Sequence, residues 1–364
     1  MVRAISADSH ILEPWGMWAD RIALEFRDRA PRVVEAPDGN GHIFVCEGRS
    51  EGRIRALGTP YAVQKKQGTE GRSGGYDPIA RLKEMDMDGV EAEVLYPSMG
   101  MRIYSIPDED LQAACFRAYN DWLAEFCATD PRRLYGIALI PTYNIDVGVR
   151  ELKRAAEMGF RGAAVWGTPP VESLSFQGDH YDPLWEVAVD LEIPISLHAF
   201  TGVDRPITNF LINYTHLVHL IPDTLVTLVF SGVFERFPDL KVISVENDIG
   251  WVPYLIQRME YGYRRKRGRH GGTFPSGLTP REIMERNVRL TFMTDRVGLA
   301  NLEFMSPDML MWATDYPHDD STWPESLPLM REQFEGIDTT IRDKIVFGNC
   351  NEIYHMGLEG LPLT

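Results

Sequence analysis

The segment Ala4-Ile5-Ser6-Ala7-Asp8-Ser9-His10-Ile11-Leu12-Glu13-Pro14 gives the chain its first reading. A short apolar run ending in Asp-Ser-His reads as a strand that delivers two metal-type ligands at its C-terminal tip. Residues i and i+2 of a strand share a face, so Asp8 and His10 project together while Ser9 points away. An imidazole and a carboxylate held that way make half of a divalent-metal site. Asp-X-His alone is a weak motif, and its weight depends on the ligand-type residues farther along the chain.

Downstream of this segment the chain alternates. Apolar runs over 90–97, 134–141, 162–167, 194–198, 241–246, 288–293 and 309–315 read as strands, and helical patterns separate them at 77–87, 108–127, 147–158 and 183–191. In the second helix Leu111, Cys115, Ala118, Trp122 and Phe126 recur at helical spacing. Eight strands separated by helices, each strand apolar almost throughout, predict an α/β fold of the (β/α)8 TIM-barrel type. The 364 residues then form a single barrel domain. Residues 15–75, irregular and rich in Gly, Arg and Pro, read as an insertion after strand one that covers the barrel mouth.

Barrel chemistry sits at the C-terminal ends of the strands. Strand one ends in Asp8 and His10, strand five in His198, strand six in Glu246 and strand eight in Asp315, with His318 three residues beyond. Each has a bland reading, since a buried His is often only hydrogen-bonded and Glu246 or Asp315 would serve as a helix cap. Their convergence on one rim predicts metal binding by Asp8, His10, His198, Glu246 and Asp315, with Glu246 and His318 in catalytic roles. Trp166, Phe200, Trp312 and Tyr316, with Trp323, lie at or just after strand ends and are candidates to line an apolar substrate pocket. Packing beneath the loops accounts for them equally well.

Composition narrows the field. Lys plus Arg number 37 against 53 acids, a net charge of −16, which argues against nucleic-acid binding. Cys46, Cys115, Cys127 and Cys350 show no CxxC pairing, and the expectation is a reducing, cytoplasmic compartment. No run of about 18 apolar residues suggests a membrane span. The basic run at 263–270 reads as a solvated helix end, and His216 and His219 as structural.

The ordered set Asp8-Ser9-His10 with Glu13-Pro14, Ser196-Leu197-His198, the run 232–241, Gly250-Trp251-Val252-Pro253-Tyr254, Thr314-Asp315-Tyr316-Pro317-His318 and Asn349-Cys350-Asn351-Glu352-Ile353-Tyr354 resembles the amidohydrolase-2 family. That family includes metal-dependent decarboxylases such as aminocarboxymuconate-semialdehyde decarboxylase. The resemblance implies a metal held by Asp8, His10, His198 and Asp315. This chain departs from it mildly at strand one, where Asp8 stands in place of the family's frequent His or Glu, and more strongly in two other places. The family's decarboxylases carry a histidine at the end of strand six, where Glu246 stands, and dinuclear hydrolases of the superfamily carry a carbamylated lysine at the end of strand four, where Trp166 stands.

These exchanges enrich the site in carboxylate, which suits iron or manganese better than structural zinc. Glu246 has the charge and reach to bridge a second metal. The sequence resembles the non-haem di-iron branch that includes a platensimycin-type diterpenoid hydroxylase of natural product biosynthesis. The leading expectation is an O2-dependent monooxygenase with two Fe, hydroxylating a bulky hydrophobic carboxylate or its thioester. The alternative is a hydrolase or non-oxidative decarboxylase of a small carboxylic acid or amide, using Zn or Mn, with Glu246 as general base. A binding protein without turnover is a third reading, but four strand ends aimed at one rim exceed what stability needs. By analogy with related barrels, a homodimer is expected.

Overall fold

The computed structural model describes residues 4–39, 41–47, 49–54, 73–170, 174–199, 201–202, 210–270, 273–318 and 320–359. The strands, in chain order, are β1 (Ala4–Ile11), β2 (Arg32–Glu35), β3 (His42–Cys46), β4 (Arg49–Ile54), β5 (Val90–Pro97), β6 (Leu134–Leu139), β7 (Gly162–Trp166), β8 (Ile195–His198), β9 (Val242–Val245), β10 (Val288–Phe292) and β11 (Leu310–Trp312). Eight of them form one sheet in the order β1-β5-β6-β7-β8-β9-β10-β11. Every pairing in it is parallel, and it curls into the predicted (β/α)8 barrel.

These runs become strands because each is covered on both faces. All eight residues of β1 are buried, as are all six of β6, so neither shows polar alternation. The helices between them have side-chain caps that fix where they start. Asp77 accepts from the Ile79 and Ala80 amides with Pro78 next in line, and Gly89 closes that helix in the left-handed conformation. Asp108 and Asn144 cap Glu109–Cys127 and Ile145–Glu157 in the same way.

The barrel closes differently from the way it is built elsewhere. The β11 strand ends at Trp312, and beyond it the chain reaches β1 through a few separate bonds: Thr314 N–H to Ser6 Oγ (2.8 Å), Asp315 N–H to Asp8 O (3.0 Å), and His10 N–H to Tyr316 O (2.6 Å). Buried hydroxyls of Ser6, Ser9 and Thr314 lie within 3.0 Å of one another at this seam. The predicted eighth strand therefore stops three residues early, because Thr314 and Asp315 are held by β1 instead of by β10.

The described part of the insertion contains the short helix Met17–Arg21, the turn Leu24–Arg29 and an antiparallel sheet β2-β3-β4. Only β3 is evident in the sequence, since Arg32-Val33-Val34-Glu35 and the charged β4 lack an apolar run. The buried Trp18 ring meets Phe44 at 5.6 Å, and its indole N–H donates to Cys115 O of helix Glu109–Cys127 (3.2 Å). The segment returns at Gly75, whose carbonyl accepts from Leu12 N–H. A Cβ there would strike Leu12 and press on Pro317, which places this end of the insertion beside the loops after β1 and β11. No helix among the described residues is long and apolar enough to cross a membrane.

Candidate metal centre

Three strand ends meet at the C-terminal rim. The tip of β1 brings Asp8 and His10, β8 brings His198, and the chain after β11 brings Asp315 and His318. His10 Nε2 stands 3.7 Å from Asp8 Oδ1 and 3.3 Å from Asp315 Oδ1, and His198 Nε2 stands 3.7 Å from Asp8 Oδ1. The ring of His318 stacks on that of His10 at 4.0 Å. His318 Nδ1 lies 2.8 Å from Asp315 Oδ2, which orients that carboxylate.

Both central imidazoles are aimed from behind. His10 Nδ1 faces Pro97 O at 2.8 Å and His198 Nδ1 faces Ala199 O at 2.9 Å. A ring nitrogen facing a carbonyl carries the proton, so each Nε2 keeps its lone pair for the site. Asp8 Oδ1, His10 Nε2, His198 Nε2 and Asp315 Oδ1 are all buried and none has a hydrogen-bond partner. Each such atom costs about 1–3 kcal/mol if nothing satisfies it. Two nitrogens and two oxygens left in this way, Asp8 beside both imidazoles and Asp315 beside His10, are the donor types of a divalent-cation site.

Two compact groups of potential ligands are present among the described residues, Asp8–His10–His198 and His10–Asp315–His318. Both need His10, whose Nδ1 is already committed to Pro97, so they are two sides of one centre. Glu246 belongs to neither group. Its Oε2 lies 3.5 Å from His198 Nε2 and 3.9 Å from His10 Nε2, and its side chain is 24% exposed against 3% for Asp8 and 7% for Asp315. It sits on the open side of the cluster. Glu246 (φ 57°) and Asp315 (φ 56°) are both in the left-handed region, an uncommon conformation for residues other than Gly that concentrates at functional sites. Thr291 Oγ1 accepts the Glu246 N–H at 3.0 Å and holds that bend.

The field in the cluster is strongly uneven. Burial, helped by His318, lowers the pKa of His10. Burial also opposes charge on Asp315, yet His318 and His10 outweigh it and hold this carboxyl well below the ordinary range. His198 is pulled the other way, since Asp8 and Glu246 overcome its burial and raise its pKa. Burial first, and Asp315 second, push Glu246 well above the usual carboxylate value. Three carboxylates around these imidazoles make a site that favours a cation.

The expected apolar lining is placed in packing contacts. Trp166 is fully buried, donates its indole N–H to Tyr181 OH (2.8 Å) and meets Tyr143 edge-on. Trp312 is likewise fully buried. Tyr316 directs its hydroxyl to Glu84 and its ring to Arg81 and Trp323. Phe200 lies outside the described residues. His216 and His219 pair with each other, 5.5 Å apart, and join neither ligand group.

Sequence reasoning missed the charges behind the rim. Arg81, Glu84 and Glu93 are buried, and so is Glu13, whose carboxylate receives the Met99 and Gly100 amides at 3.0 and 2.8 Å. A signal was present in the helix pattern. Arg81, Glu84 and Met85 share one helix face at i, i+3 and i+4, so two charges fall on the same stripe as a core methionine.

A family model described as Amidohydrolase matches residues 38–356. Decarboxylase orsB of Emericella nidulans is 30% identical over 258 residues, 66% of this chain and 73% of that protein. A gamma-resorcylate decarboxylase of Polaromonas sp. is 27% identical over 300 residues, covering 76% of this chain and 86% of its own. A solved dihydroxybenzoic acid decarboxylase from Polaromonas sp., with bound manganese and the inhibitor 2-nitroresorcinol, shares the fold at TM-score 0.68 and 20% identity, over 99% of this chain and 98% of its own.

These relatives overturn the expectation of an O2-dependent, two-iron monooxygenase. The physical reason is that a donor set of imidazoles and carboxylates is not specific to redox iron, since the same hard ligands hold manganese. The geometry agrees, because both ligand groups depend on one His10 nitrogen and so describe one centre.

Proposed function

The chain belongs to the amidohydrolase family, and from that premise we propose that it is a metal-dependent, non-oxidative decarboxylase of a small hydroxylated aromatic carboxylic acid. The observation that carries this reading is a set of four buried ligand atoms without hydrogen-bond partners, on Asp8, His10, His198 and Asp315, gathered around His10 in two overlapping ligand groups. Manganese is the first choice of metal, because this donor set suits it and a related decarboxylase of the same fold binds it.

A divalent cation bound there supplies positive charge that holds the substrate's oxygens and draws electron density from the ring. The protein's own part is orientation and proton handling. Pro97 and Ala199 aim the two imidazoles, and His318 fixes Asp315. Glu246, on the open side, is the carboxyl placed to meet the substrate. Loss of CO2 requires one proton to be added at the ring carbon that carries the carboxylate, after which the electrons of the breaking C–C bond return to the ring. As the carboxyl on the open side, Glu246 is the group we assign to deliver that proton. The insertion, whose returning end lies against Leu12 and Pro317, frames one side of the rim.

The test is CO2 release from a panel of mono- and dihydroxybenzoates by protein loaded with Mn2+. Turnover of at least one ortho-hydroxylated acid, abolished by chelation and restored by Mn2+, is expected. Silence across the panel with both Mn2+ and Zn2+ would remove this reading.

A further inference from the structure

Behind the ligands lies a charge that the proposed chemistry does not use. Arg81, in the helix Pro78–Asp88, is fully buried. A buried guanidinium persists only when it is paired and hydrogen-bonded. Arg81 Nε pairs with Glu93 on β5, Nη1 donates to the carbonyl of His10 at 2.7 Å, and the guanidinium carbon sits 4.5 Å from the centre of the Tyr316 ring.

These partners are not arbitrary. His10 is a ligand, and Tyr316 directly follows the ligand Asp315 and accepts the His10 N–H at its own carbonyl. Glu93 also accepts from Ser9 Oγ at 3.3 Å, which secures the residue between Asp8 and His10. One side chain thus grips both sides of the β1/β11 seam, where no continuous ladder sets the spacing.

We propose that Arg81, with Glu93, is a positioning residue that fixes Asp8 and His10 relative to Asp315 and thereby sets the affinity of the divalent-cation site. This inference rests on the metal-site reading above. Its rival is that Arg81 only neutralises Glu93 and Glu84. Lysine would still neutralise them, but it lacks the planar fork that serves a carboxylate, a carbonyl and a ring face together.

The experiment is Mn2+ titration by calorimetry, with the electron paramagnetic resonance spectrum of the bound ion as a second readout. Arg81→Lys, and the double variant Arg81→Met with Glu93→Gln that removes both members of the pair together, are expected to bind Mn2+ about 10–100-fold more weakly, with native circular dichroism and an altered spectrum. Asn287→Ala is the control. It removes bonds to Pro238 O and Leu240 O at the opposite end of the barrel, and should lower stability while leaving Mn2+ affinity unchanged. Affinity within twofold of wild type in both Arg81 variants would overturn the proposal, as would an equal loss in Asn287→Ala. Failure of the wild-type chain itself to bind Mn2+ would instead remove the metal site, and the inference with it.

Discussion

The β7/β8 pair and the β11/β1 seam both deliver ligands to the same rim, by different means. Between β7 and β8 an unbroken parallel register runs from Ala163 opposite Ile195 to Trp166 opposite His198, so the backbone alone carries His198 to its place. At the seam no strand ladder joins β11 to β1 among the described residues, and Asp8, His10 and Asp315 are held by hydroxyls, single amide bonds and one buried arginine. A ladder spreads the work over many equivalent bonds. The seam concentrates it in a few side chains, so its geometry is open to adjustment by single substitutions, and three of the four proposed metal ligands, Asp8, His10 and Asp315, are located there.

The largest expected effect is at a ligand of the seam. Asp315→Ala removes one of the four converging atoms and leaves His10 and His318 without their carboxylate, so metal should no longer survive gel filtration, as measured by elemental analysis. Glu246→Gln tests the open side of the centre. Because Glu246 lies outside both ligand groups, metal content should stay unchanged while turnover falls about 10²–10⁴-fold, the usual cost of losing a general acid or base. Metal falling together with turnover would make Glu246 a ligand instead.

A third prediction concerns Glu13, which braces Met99 and Gly100 just beyond the Pro97 carbonyl that aims His10. Burial pushes its pKa up to about 7 from an ordinary 4.5. A carboxyl raised in the folded state favours folding when protonated, so its stabilisation is complete below about pH 4.5 and is lost as pH rises through about 7. Relative to Glu13→Gln, wild type should lose up to about 3 kcal/mol between pH 5 and pH 8, read from urea midpoints. A pH-independent difference between the two would refute this. The smallest effect is at the stitch itself. Thr314→Val deprives Ser6 and Ser9 of a buried partner and should cost about 1–3 kcal/mol of stability, with measurably weaker Mn2+ binding.

Much of the fold, and the cluster of His and carboxylate residues at its rim, was legible in the sequence. Parallel strands covered on both faces are continuous apolar runs, so the eight barrel strands are found within a few residues, and the rule that chemistry gathers at their C-terminal ends picks out Asp8, His10, His198 and Asp315. The shortening of β11 was not legible, because hydroxyl bonds from Ser6 to Thr314 leave no mark on periodicity. Arg81 and Glu93 were passed over because a buried charge and a surface charge look alike until a partner 12 residues away is known. The left-handed backbone of Glu246 and Asp315 has no compositional signal at all. The chemistry was misread toward redox iron because carboxylate enrichment describes ligand hardness and does not identify the metal.

The most direct measurement is a Mn2+ titration of chelator-stripped protein, accompanied in the same samples by CO2 release from 2,6-dihydroxybenzoate and its hydroxylated relatives. The account predicts saturation at a single Mn2+ per chain, with decarboxylation rising in step with occupancy. No binding, two equivalents per chain, or CO2 release that does not depend on the metal would contradict it.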